Sequence, residues 1–304
     1  MIPMQKNTGW FTMDNRGNFT LEIVVVGIII LLMLGIILAT TELSDEKISK
    51  SVESNNIEKT ITEVCDSLIN DAGTPINWED FKAKRIGLAT VNEDDNVIPN
   101  SVSYFKLLEL GRNYDNYVTK RIFDNKFHSS MELIPHETSI SSVKIGDSDK
   151  STANVYSVNR LVKCDFFKKY TVCDFLNDGK CNHNHNQKDH SCNYFKLFRG
   201  NLKSLNYYLL FDSDEKNNVK YSIDTTHFKN YGDGETVHKT EIYLNSELQE
   251  LFEEDETSSV IFIHLNKKDS KAVLVGVPKD FDKNKLNYNY FTTQPCDFVI
   301  KAWS

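Results

Sequence analysis

Between Phe19 and Ala39 the chain reads FTLEIVVVGIIILLMLGIILA, apolar at every position except Thr20 and Glu22. About 20 helical residues cross a bilayer core, so a run of this length predicts a helix with no polar face of its own. It exceeds the apolar centre of an ordinary secretory signal, and no small-x-small cleavage site follows it. The polar, acidic stretch TTELSDEKISKSVESN comes next. Lys6 and Arg16 precede the run, and Glu42, Asp45 and Glu46 follow it. The positive-inside tendency therefore predicts a single pass through the cell membrane, with the short N-terminus in the cytoplasm and the bulk of the chain outside.

Glu22 is the odd residue in this run. A carboxylate inside a membrane helix costs roughly 2.5–3.5 kcal/mol, so such a residue either reaches the interface or has a role. Residues 14–22 read DNRGNFTLE. This stretch resembles the processing site of type IV prepilins, and more closely the archaeal class III signal peptide. That pattern is Gly or Ala followed by Gln-x-Ser-x-Glu; here it is Gly17, then Asn18-x-Thr20-x-Glu22, with Asn for Gln and Thr for Ser. The resemblance implies that a prepilin peptidase removes residues 1–17 by cutting between Gly17 and Asn18. The apolar helix, 18–40, then stays on the mature protein. It also gives Glu22 a role: neutralising the new α-amino group at Asn18 of a neighbouring subunit and so setting axial register in a helix bundle.

Beyond residue 40, Ile48, Val52, Ile57, Ile61, Val64 and Leu68 recur at steps of three to five, which predicts an amphipathic continuation of the helix over 41–72. Asp71-Ala72-Gly73-Thr74-Pro75 supplies its stop signal. The following GTPINWEDFKAKRIGLAT holds a Gly-x-Pro-x-x-Trp stretch and an Ile-Gly-Leu-Ala stretch. In that order they resemble pilin-like and adhesin-like surface proteins of methanogenic archaea. The likeness continues through VSYFKLLEL, AVLVGVPK and DFVIKAW. Trp78 and Trp303 are expected to be packing residues.

Strand signals dominate the region 73–304, with β-branched or aromatic runs set between Gly, Asn, Asp and Ser. The candidates are KFHSSMELI, SSVKIGD, NVYSVNRLVKC, LNYYLLF, VKYSIDTT, SVIFIHLN, AVLVGVP and CDFVIKAW. Asp214–Asn218 is expected to join LNYYLLF and VKYSIDTT as a hairpin turn, and Ser246–Glu254 to form a short helix capped by Ser246. The expected fold is α+β: a long N-terminal hydrophobic helix, the pilin-like stalk, packed on a mainly antiparallel β-sheet head.

Six cysteines are present, Cys65, Cys164, Cys173, Cys181, Cys192 and Cys296, and none forms a CxxC pair. An even number in a chain with an export-type segment predicts disulfides. Two bridges are expected inside the Cys/His-rich insertion 164–192, and Cys65 and Cys296 remain as a third pair joining helix to sheet. His183, His185 and His190 with nearby thiolates form the alternative, a metal site, but the spacings are wider than those of zinc fingers. Neither a metal nor another cofactor is expected.

A net charge of -8 without a basic cluster argues against nucleic acid. No nucleophile elbow, Walker loop, Rossmann glycine pattern or HExxH occurs, so no enzymatic activity is expected. The resemblance implies a structural or minor subunit of an archaeal type IV pilus-like filament, embedded in the membrane before assembly and displayed on the cell surface afterwards. Its partners would be the peptidase, the membrane and like subunits. The alternative is an anchored surface protein that binds a surface or host ligand and does not polymerise.

Overall fold

Beyond residue 100 the β-branched and aromatic runs fold into strands. The computed structural model describes residues 16–148, 155–177, 190–226 and 234–303. Within the first helix it describes the side chains of residues 24–36, 38 and 56 onward. In chain order the elements begin with helix α1 (Arg16–Asn70), strand β1 (Ser101–Ser103) and helix α2 (Tyr104–Arg112). Strands β2 (His128–Pro135), β3 (Val143–Gly146), β4 (Val155–Asp165), β5 (Thr171–Asp174) and β6 (Ser191–Phe198) follow. After helix α3 (Asn201–Ser204) come β7 (Leu205–Phe211), β8 (Lys220–Thr225), β9 (Glu235–Thr236) and β10 (Glu241–Tyr243). Helix α4 (Asn245–Glu250) precedes β11 (Ser258–Leu265), β12 (Ala272–Pro278) and β13 (Thr293–Trp303). The chain divides into two compact units, residues 1–57 and 58–304.

In the second unit the strands make three sheets. The first is five-stranded in the order β1-β4-β13-β2-β3, parallel only between β1 and β4. Alternation along β4 sets its faces: Val158, Val162 and Cys164 are buried, while Leu161 points to solvent. The second sheet, β10-β7-β12-β5, and the third, β6-β11-β8-β9, are antiparallel and share one core. Leu209, Phe211 and Leu274 from the second sheet meet Ile223, Ile261, Ile263 and Leu265 from the third. Strand β12 is buried at every residue from Ala272 to Val277, because both faces of its sheet are covered; it therefore reads as a continuous apolar run.

This architecture corrects the expected α+β stalk-and-sheet arrangement. The second unit is a three-sheet, mainly β structure in which α2, α3 and α4 are short. Nor is the apolar part of α1 a packed element: from Val24 to Ile36 its large side chains are exposed. Among the described residues no helix is long and apolar enough to cross a membrane. The single-pass membrane placement, with the C-terminal part outside, is therefore not supported.

Two local expectations also change. Asp214–Asn218 does not close a hairpin, since β7 and β8 lie in different sheets. The buried Glu215 explains the detour: its carboxylate accepts from Lys267 Nζ at 2.6 Å and from the Lys271 amide at 3.2 Å, holding the connection against the β11–β12 turn. Helix α4 starts at Asn245, not behind a Ser246 cap. The buried Asn245 side chain accepts from the Tyr207 amide at 2.7 Å and donates to Leu205 O at 2.8 Å. It ends at Glu250, and the carbonyls of Glu253 and Glu254 are taken by Arg199, each at 2.9 Å.

Candidate functional site

The feature that most demands a partner is the first half of α1. Val24, Val25, Val26, Ile28, Ile29, Ile30, Leu31, Leu32, Met33, Leu34, Ile36 and Leu38 are 46–70% exposed. Consecutive apolar residues cover every side of a helix, so no rotation hides them. Fully burying one aliphatic side chain is worth about 1.5–3 kcal/mol, so this surface holds on the order of 20 kcal/mol of unrealised stabilisation. A Cβ added at Gly27 or Gly35 would meet nothing within 4 Å, leaving room for another helix to approach.

The Gly17–Asn18 bond lies in the first turn of α1, which begins at Arg16. The side chains of Asn18 and Glu22 lie outside the described residues, as do residues 1–15.

The last turns of the same helix are built differently. Ile61, Cys65, Leu68 and Ile69 are buried at the helical spacing that the sequence shows. Asp66 receives Arg160 of β4 bidentately, at 2.7 and 3.2 Å. The carbonyls that any helix leaves open at its C-terminus are met by the Ile-Gly-Leu-Ala segment: the Leu88 amide donates to Leu68 O at 2.7 Å and the Ala89 amide to Asp71 O at 3.0 Å. Gly73 leaves the helix with φ +84°, and a Cβ there would strike the Trp78 ring. Trp78 Nε1 donates to Gly87 O at 2.8 Å, pinning the Gly-x-Pro-x-x-Trp stretch to the Ile-Gly-Leu-Ala stretch. A Cβ on Gly87 would run into the Asp71 backbone.

Lys106 of α2 completes this junction. It is 3% exposed and donates from Nζ to Ala72 O at 2.7 Å and Ala89 O at 3.1 Å. Burial draws its pKa below the ordinary lysine value, and the Glu79 and Asp71 carboxylates counter the shift. Glu79 Oε2 is buried without a hydrogen-bond partner among the described residues. Beside the pair opens a cleft of 520 Å³ carrying Glu79, Asp80, Glu109 and Asp165 against Lys106, Arg112, Lys168 and Lys169. Balanced charge and a lysine committed to two carbonyls make this a clamp. Nothing in the sequence marks Lys106 as buried.

The cysteines depart from expectation. Cys65, Cys164, Cys173 and Cys296 carry thiols, all buried. The staple from Cys65 to Cys296 is therefore not formed, and neither Cys164 nor Cys173 is bridged. The fold explains why. Cys65 sits beside Asp66 and Arg160, with its thiol pushed up to about 12 by burial. Cys164 and Cys296 neighbour each other diagonally across β4 and β13, hydrogen-bonded, and burial pushes Cys164 well up. Cys173 on β5 faces Tyr194 O of β6 at 4.0 Å. Cys192 is disulfide-bonded. Cys181, His183 and His185 lie outside the described residues too. His190 is half-buried at the start of β6, and no group of three or more metal-ligating side chains occurs among the described residues.

One buried ionisable pair escaped sequence reasoning: His264 Nε2 of β11 approaches Asp224 Oδ2 of β8 at 2.9 Å. Its two residues lie far apart in sequence on strands whose pairing no local signal announces. Compared with family models, curated proteins and solved structures, the chain matches none.

Proposed function

We propose that the chain is a structural or minor subunit of a type IV pilus-like filament of the archaeal class III kind, assembled through α1 after cleavage between Gly17 and Asn18. One observation carries the reading: the apolar stretch Val24–Ile36 is exposed around the whole helix. A bundle of like helices buries such a surface on every side, whereas one groove on one partner buries a single face. The processing pattern at Gly17, Asn18, Thr20 and Glu22 adds a route to that bundle. Glu22 then neutralises the amine of a neighbouring Asn18, and the partners are a prepilin-type peptidase and other copies of the chain.

The test is made on protein isolated from its source cells. Terminal sequencing of the filament fraction is expected to give a chain starting at Asn18, and Ile30→Lys to lower the filament-bound fraction at least tenfold. A chain that retains residues 1–17 and never enters filaments would overturn the reading and favour a non-polymerising binding protein.

A further inference from the structure

The last turns of α1 border a groove of 370 Å³. Its walls are apolar: Val64 and Leu68 from α1, Ile86 from the Ile-Gly-Leu-Ala segment, and Ile122. Its rim is basic. Lys84, Arg85 and Arg121 line it against one carboxylate, Glu63, which already faces Lys59 at 3.8 Å. In a chain of net charge -8, three cations about one groove are a local reversal of sign.

Two of the cations are held rigidly. Arg121 donates to Ala83 O at 3.2 Å and Lys84 O at 2.7 Å, and lies 5.7 Å over the Tyr117 ring. Arg85 meets Asp71 at 3.0 Å. Lys84 is exposed. An apolar floor under a positive rim, flanked by a helix, suits an acidic amphipathic helix.

The chain carries such a segment. In the sequence Glu42, Asp45, Glu46 and Glu53 fall at i, i+3, i+4 and i+11, a helical spacing in which four carboxylates outnumber the two intervening cations, Lys47 and Lys50. We propose that the groove receives the acidic turn 42–46 of α1 from a second copy of the chain, so that each subunit's basic rim docks the next subunit's acidic stripe. This rests on the filament reading for the presence of the second copy. It adds that contacts outside the apolar bundle set which subunit follows which.

The experiment mixes nitrogen-14 and nitrogen-15 forms of the chain beginning at Asn18, lets them assemble, and applies a zero-length carbodiimide coupling. Peptides joining Lys84 to Glu42, Asp45 or Glu46 with mixed labels are the expected product. Lys84→Glu is expected to lower the assembled fraction about tenfold, and Glu46→Lys in the same chain to restore it. An unchanged thermal melt of Lys84→Glu shows that folding is not the cause. If filaments form but the mixed-label peptides are absent and Lys84→Glu assembles normally, the groove proposal falls and the filament reading stands. Couplings of Lys84 to a different protein or to an anionic lipid in place of the acidic turn also overturn it. If the unmodified chain never assembles, both fall together.

Discussion

Helix α1 holds two apolar stretches with opposite surroundings. From Val24 to Ile36 the large side chains follow one another, broken only by Gly27 and Gly35, and all are exposed. From Ile61 to Ile69 the buried residues, Ile61, Cys65, Leu68 and Ile69, keep to one side at steps of three and four, and the polar Asp66, Asn70 and Asp71 among and just after them pair with Arg160, the Asn100 amide and Arg85. The difference is one of pattern. A spaced stripe is satisfied by one neighbouring surface within the same chain, whereas a continuous run needs partners on every side. The second stretch therefore belongs to the stability of the unit that carries it, and the first is the one that the filament proposal assigns to assembly.

The largest test of that division removes residues 1–55, leaving the buried Ile57 in place. Self-association is expected to vanish in sedimentation, with a thermal midpoint within a few degrees of the full chain, because the remaining compact unit keeps its core. A large drop in midpoint would break the comparison. Trp78→Ala attacks the second region: losing a fully buried indole and its bond to Gly87 is expected to cost about 3–5 kcal/mol in urea unfolding, with no direct effect on the apolar stretch. Lys106→Met is expected to cost about 1–3 kcal/mol, since Ala72 O and Ala89 O lose their shared donor.

The gentlest probe is pH. The Cys65 thiol ionises near 9.0 when exposed and near 12 in the fold, so the unfolded chain loses its proton first. Its contribution is constant below pH 9.0 and falls as pH rises towards about 12, by at most about 1.4 kcal/mol per pH unit. Unfolding curves at pH 8 and 10.5 should converge more for Cys65→Ala than for the unaltered chain. Equal slopes would mean that Cys65 is less enclosed than the fold implies.

Single strands were legible because local pattern writes them. LNYYLLF and AVLVGVP match β7 and β12, and the other candidates overlap β2, β3, β4, β8, β11 and β13. Their partners were not legible, because pairing depends on long-range closure: β7 and β8 are neighbours in sequence and sit in different sheets. SCNYFKLF is not among the expected strands, since only its Ser191 and Cys192 enter the Cys/His insertion, yet it forms β6 beside β11. Helix α2 hid inside VSYFKLLEL. Its signal was the Ser103 cap, whose side chain accepts from the Lys106 amide, followed by Leu107 and Leu110 at helical spacing. The cysteines misled because parity and context predict bridges but not which thiols meet.

Strand β13 occupies the centre of the first sheet, bonded to β4 on one side and β2 on the other. During synthesis, β1 and β4 therefore wait beside an open slot, as do β2 and β3, until β13 leaves the ribosome. Loop closure between β2 and β13 spans most of the second unit, so the sheet completes late and in one step. A nascent chain halted at residue 290 would hold two half-sheets with unpaired edges, the species most open to capture by a chaperone or by another copy of itself.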